Sequence, residues 1–206
     1  GKFAKTPRAS FLMAMDISVY SLIAVSRHAH PLMVAAGGGS IMTMTHYGGD
    51  KVFPGYNAMG ACKAALEATV RYLAEDFGQD KIRVNAVSGG AFKTLAASGI
   101  GGIKTMLHES ERRSPLRRNV EGVDVGGTAV YLASDLSSGV TGETPPQSLM
   151  PASIKSTRSP PYRFGGACML MAGPNNKRAA AMVQHNSSIA GSGAAAILVP
   201  GLARKF

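Results

Sequence analysis

Along residues 40–46, Ser40-Ile-Met-Thr-Met-Thr-His46, short polar and large apolar side chains alternate, which predicts a buried strand. Residues 82–88, Ile-Arg-Val-Asn-Ala-Val-Ser, predict a second strand. Between them, residues 56–77 carry apolar positions at helical spacing, and Gly78 marks the end of that helix. Upstream, residues 11–33 place Met15, Tyr20, Leu22, Ile23 and Val25 at helical spacing, with Pro31 near the end and Gly37-Gly38-Gly39 breaking the chain. Downstream, helices are expected over 103–113 and 123–132, with a basic turn at Pro115-Leu-Arg-Arg118. Helix, strand, helix, strand, helix is the rhythm of a parallel α/β sheet.

The pattern changes at Thr144. Residues 144–162 hold five prolines and no clear period, and an irregular, loosely packed tail is expected over 144–206, with 179–182 and 194–199 as short helices or strands. Charge divides at the same place. The net charge of +10 is made of 15 Lys and Arg against 12 Asp and Glu through Glu143, then 7 basic residues and no acid. The basic tail lacks interleaved aromatics on which bases would stack, so no nucleic-acid partner is expected. Cys62 and Cys168 have no metal-ligand spacing, and no metal site is expected. The start has no signal-peptide pattern, and the apolar run near 194–199 is too short for a bilayer. A cytoplasmic protein without a membrane span is expected.

Candidate chemistry lies at the start of the 56–77 helix. Tyr56, Met59 and Lys63 stand at i, i+3 and i+7, so they share one helix face and can address one ligand. On spacing alone, a core aromatic and a solvated lysine are the favoured reading.

The motifs in order carry more. Tyr-Asn-x-Met-Gly-x-x-Lys-Ala-x-Leu-Glu at 56–67, Ile-Arg-Val-Asn-Ala at 82–86, Thr-Leu-Ala-Ala-Ser-Gly-Ile at 94–100, Pro-Leu-Arg-Arg at 115–118 and Ser-Asp-Leu-Ser-Ser-Gly-Val-Thr-Gly-Glu at 134–143 follow one another. Together they make residues 11–143 resemble the enoyl-[acyl-carrier-protein] reductases of the short-chain dehydrogenase/reductase superfamily. The resemblance implies a partial Rossmann-like, doubly wound parallel sheet over residues 1–143, followed by the 144–206 tail. It implies reduction of the trans-2 double bond of an enoyl thioester carried on acyl-carrier protein, in fatty acid synthesis, with NADH or NADPH. It also implies a homo-oligomer, dimer or tetramer, with the helices at 11–33 and 56–77 packed between subunits.

Residue by residue, the resemblance makes Tyr56 the hydrogen-bond donor to the thioester oxygen. It makes Lys63 the holder of the nicotinamide ribose, whose charge favours the enolate and lowers the Tyr56 pKa. Thr45, Ala91, Phe92 and Thr94 would meet the nicotinamide end. Met59, Ala96, Ala97, Ile100 and Met106 would line the acyl chain under a mobile apolar segment. Carbonyl-reducing relatives use Tyr-x-x-x-Lys; here position 60 is Gly and the Lys comes seven residues after Tyr56. An ester hydrolase is disfavoured, since Gly-x-Ser-x-Gly and Ser-x-x-Lys are both missing.

Departures from the family pattern are also visible. Many relatives have a second Tyr ten residues before the first; His46 stands there, with Tyr47 beside it, and either is a candidate at the substrate. Ala91 replaces the family's Pro, giving a less rigid turn. The family's first strands and Gly-rich pyrophosphate turn have no equivalent before Phe11, and the match stops after Glu143. A catalytically inactive fragment that still oligomerises is therefore a competing reading. Back-translating Gln147–Ile154 from the third base of the first codon permits Val-Val-Asp-Ala-Gly-Phe-His, like the family's missing last strand, so a frameshifted tail is expected.

Overall fold

The computed structural model describes residues 2–52, 55–90, 103–146, 167–172 and 195–200. The first long helix runs as α1 (Arg8–Met15), a wider π-turn over Asp16–Tyr20, and α2 (Ser21–Ala35). Ser21 reinforces this passage, donating its hydroxyl to the Ile17 carbonyl at 2.7 Å. Pro31 sits inside α2, four residues before its end. There Gly37 (φ 86°) donates to Val34 and Gly38 (φ 120°) to Met33, both at 2.9 Å. This is a Schellman closure, which requires the left-handed backbone that glycine supplies. A Cβ on Gly38 would also stand 2.5 Å from the Lys81 carbonyl oxygen, so a second strand can approach the turn only past a glycine.

That turn delivers β1 (Gly39–His46). α3 (Asn57–Gly78) and β2 (Ile82–Gly89) follow, and β1 and β2 pair in parallel from Gly39↔Ile82 to His46↔Gly89, as the alternation predicts. α4 (Ile103–Arg113) and α5 (Gly122–Ala133) come next. Helices cover both faces of the pair. Leu22, Met33, Leu66 and Val70 of α2 and α3 bury against Ile41, Ile82 and Val84 on one side. Ala129 and Leu132 of α5 bury against Met42 and Val87 on the other. Successive strand residues thus face opposite layers, as a doubly wound sheet needs.

The outer edge of β2 is closed by residues 141–146. Gly142 donates to Val84, Ala86 to Glu143 and Ser88 to Pro145, and Ser88 and Pro146 form a parallel bridge. Asn85, wholly buried, clips this segment with both ends of its amide. Nδ2 donates to the Val140 carbonyl at 2.9 Å, and Oδ1 accepts from Glu143 N–H at 3.0 Å. Arg83 binds the carbonyls of Leu132, Ser134 and Val140, capping the C-terminal end of α5.

Two short strands are described within the tail. β3 (Ala167–Ala172) pairs antiparallel with β1, from Gly39↔Ala172 to Thr43↔Cys168, and β4 (Ala195–Pro200) pairs in parallel with β3. The sheet order is β2-β1-β3-β4, so the sheet is mixed rather than wholly parallel. Of the two tail segments expected to be ordered, 194–199 coincides with β4, and 179–182 lies outside the described residues.

The helix Arg8–Ala35 is 28 residues long and contains an 18-residue stretch with a mean hydropathy of 1.6, enough by length and composition alone to cross a bilayer, a measure that core helices of globular domains also meet. Its exposed side chains include Leu12, Met13, Tyr20, Leu32 and Val34, while Leu22, Ala29 and Met33 are buried in the core.

Candidate active site

The parallel pair ends at His46 and Gly89, and the candidate residues gather at those carboxyl ends. Tyr56 caps the N-terminus of α3, between Gly55 (φ 84°) and Asn57 (φ 38°). These two positive angles turn the chain sharply enough to fold the Tyr56 ring inward, leaving it 2% exposed. Two helical turns on, Lys63 is equally buried. Its Nζ donates to the Met44 carbonyl at 2.8 Å, so the ammonium lies against the carboxyl end of β1. Lys63 is thus a buried cation, the opposite of a solvated surface lysine.

Burial sets the electrostatics. It lowers the Lys63 pKa to about 8, against weaker opposing effects from Cys62 and Glu67. It pushes the Tyr56 phenol well above its ordinary value, with the Cys62 charge acting in the same direction. The expectation that Lys63 lowers the Tyr56 pKa is therefore corrected: desolvation dominates, and the phenol keeps its proton at neutral pH. The Cys62 thiol, in the core, is likewise raised by burial. Next to Lys63, Thr45 is buried and donates its hydroxyl to Glu67 Oε1 at 2.7 Å. Burial raises the Glu67 pKa, opposed chiefly by that hydrogen bond.

The loop after β1 completes the arrangement. Tyr47–Gly49 forms one 3-10 turn, and His46 caps it by accepting the Gly48 N–H on Nδ1 at 3.0 Å. The His46 ring stacks at a tilt on Tyr56, centroids 4.7 Å apart. Burial, and next the Lys63 charge, lower the His46 pKa to about 4, so its imidazole is neutral. Gly48 packs so tightly that a Cβ there would overlap Tyr56 Cδ1 and lie 2.8 Å from Cε1. Gly60 accepts the other side of this contact; a Cβ there would stand 2.8 Å from the Gly48 carbonyl oxygen. Gly48→Ala should therefore cost about 1–3 kcal/mol of stability by overpacking, visible as a lowered urea midpoint at unchanged slope.

Among the expected substrate residues, Met59 and Tyr47 are half-buried at this end of the sheet. Met106 lies in α4, but its side chain is outside the described part. Ala91, Phe92, Thr94, Ala96, Ala97 and Ile100 lie outside the described residues. Sequence reasoning missed Glu67, although its i+4 spacing from Lys63 was a usable signal. The contact of Gly48 with the Tyr56 ring likewise has no signal in the sequence, since a glycine's neighbours across a loop are set by the fold.

Helices on both faces of a parallel pair, with Tyr and Lys at its carboxyl end, define a Rossmann-like dehydrogenase/reductase fold. The family model described as Enoyl-(Acyl carrier protein) reductase matches residues 1–146. The chain belongs to that family. It is 56% identical over 143 residues to "Enoyl-[acyl-carrier-protein] reductase [NADPH] FabI" of Staphylococcus aureus (strain MRSA252), covering 69% of this chain and 55% of that protein. It is 52% identical over 143 residues, with the same coverage, to "Enoyl-[acyl-carrier-protein] reductase [NADH] FabI" of Nostoc sp.. A crystal structure of the Bacillus cereus enoyl-acyl carrier protein reductase with NADP+ and indole naphthyridinone superimposes with a TM-score of 0.69 at 50% identity. That superposition covers 72% of this chain and 57% of the other. The chain thus spans about half the length of the curated relatives it matches.

Proposed function

We propose that this chain carries the nicotinamide end of an enoyl-acyl-carrier-protein reductase site, reducing the trans-2 double bond of an enoyl thioester in fatty acid synthesis. The observation that carries the reading is the buried pair Tyr56 and Lys63 at the carboxyl end of β1. Ligands of open α/β sheets bind at that end. The residues present fit the nicotinamide ribose: Lys63 offers a buried cation with three N–H donors, one of them on Met44. NADH is the preferred cofactor of this reading and NADPH the alternative, both being named among the relatives.

The bound nicotinamide would supply hydride to the β-carbon, and negative charge would develop on the thioester oxygen. Tyr56, protonated at neutral pH, donates its hydroxyl to that oxygen where the charge appears. Lys63 holds the ribose and places a positive charge beside the enolate. Thr45 and Glu67 support the lysine from the strand and the next helical turn. His46 or Tyr47 faces the substrate, and Met59, Ala96, Ala97, Ile100 and Met106 contact the acyl chain. Ala91, Phe92 and Thr94 meet the nicotinamide. The reductase unit ends near Glu143, a boundary supported by the family match to residue 146.

The experiment is a titration of the chain into NADH, followed by fluorescence, then NADH oxidation with a short trans-2-enoyl thioester. Saturable binding and turnover are expected; absence of both would overturn the reading. A second reading, a non-catalytic oligomer-forming fragment, is favoured by the half-length coverage and by the exposed Leu12, Met13 and Tyr20 of the first helix. Homo-oligomerisation through this helix, in the cytoplasm, belongs to both readings; sedimentation as a monomer at high concentration would remove it.

A further inference from the structure

We infer that His46 is a positioning residue for Tyr56: its ring nitrogen holds the Gly48 backbone, and Gly48 in turn wedges the phenol ring in place. The inference rests on Tyr56 acting as proposed above, and it assigns His46 a role through Tyr56 rather than on the substrate.

Three contacts meet on one glycine. The Gly48 N–H is donated to His46 Nδ1 at 3.0 Å. Its Cα lies against the Tyr56 ring, where even a methyl group would overlap Cδ1. Its carbonyl oxygen is so close to Gly60 that a Cβ there would stand at 2.8 Å. Gly48 is therefore gripped on N–H, Cα and C=O at once, and the hydrogen bond on its N–H comes from the His46 side chain. The imidazole also touches the phenol directly, ring on ring at 4.7 Å and 45°. Because Nδ1 accepts, the proton of the neutral ring sits on Nε2. Burial keeps the ring neutral and so keeps the accepting lone pair in place. A side chain without an acceptor at that distance from the backbone would release the 3-10 turn and loosen the wall of the Tyr56 pocket. Asparagine places Oδ1 at the same number of bonds from Cα as histidine Nδ1, so it reproduces the grip; leucine fills the volume without it.

The test compares the full chain with His46→Asn and His46→Leu. The probe is the 13Cζ resonance of labelled tyrosine, assigned among the chain's 6 tyrosines by Tyr56→Phe. NADH titration and enoyl thioester turnover run alongside. In His46→Leu the Tyr56 resonance should shift or broaden, and kcat should fall about tenfold, the size of one net hydrogen bond. The NADH dissociation constant should not change. His46→Asn should recover the resonance and most of kcat. If His46→Leu does not fold, His46→Gln, whose amide lies one bond farther out, takes its place. Equal loss in the Asn and Leu variants, or an unmoved Tyr56 resonance in Leu, overturns the inference. A rise in thioester KM with kcat intact would also overturn it, by placing His46 on the substrate instead. A chain that neither binds NADH nor turns over fails the proposed function, while the resonance still decides the positioning role.

Discussion

Tyr56→Phe should lower turnover of an enoyl thioester by roughly 100- to 1,000-fold, the range for one oxyanion donor worth about 2.7–4 kcal/mol, with NADH affinity nearly unchanged. The effect belongs in kcat because the phenol is a better partner for the enolate than for the neutral thioester. In the proposed role the phenol would meet that oxygen with its proton in place, since burial holds its pKa above the ordinary value. Phe keeps the ring contacts with His46 and Gly48, so the melting temperature should stay close to that of the parent chain. Loss of NADH affinity without loss of kcat would make Tyr56 a packing residue.

Lys63→Met should differ in its effect on the cofactor: large loss of NADH affinity as well as rate, with stability kept or gained at pH 7. A lysine with a pKa of about 8 in the fold and 10.5 in the unfolded chain carries a burial cost of about 3 kcal/mol while charged. Methionine removes that cost at similar volume and gives up the hydrogen bond to Met44, roughly 1 kcal/mol. The sign with pH follows. Between pH 8 and 10.5 the unfolded chain binds a proton that the folded chain has released, so parent stability rises with pH across that window. The variant should lack this rise. Urea midpoints of both chains at pH 7, 8.5 and 10 check it. A destabilised variant at pH 7 would mean the ammonium is a net structural asset.

How far this site was legible depends on what each signal measures. The strands 40–46 and 82–88 and the 56–77 helix were readable because each has one periodicity and a glycine boundary. That Tyr56 and Lys63 share one helix face was readable from their spacing, but their pairing at a site came only from the motifs around them. Lys63's burial was not, because a lysine's environment is set by which strand end it lies against, here the Met44 carbonyl 19 residues away in sequence. The partnership of Thr45 with Glu67 and the wedging of Gly48 against Tyr56 are tertiary for the same reason. β3 escaped because Ala-Cys-Met-Leu-Met-Ala is a short continuous apolar run, inside a segment whose prolines and basic residues dominate its composition. The aliphatic run 194–199 was ambiguous between helix and strand, and pairing with β3 resolves it.

The amide clip of Asn85 also bears on the cooperativity of the fold. Its two partners lie 55 and 58 residues downstream, beyond α4 and α5. β1, α3 and β2 can assemble through closer contacts, and until Val140 and Glu143 arrive the Asn85 amide on the open strand edge bonds to water. Closing that long loop costs entropy and comes late. Docking of residues 140–146 thus removes the Asn85 amide from water and satisfies both its ends in one step, which couples that segment to the sheet as one cooperative unit.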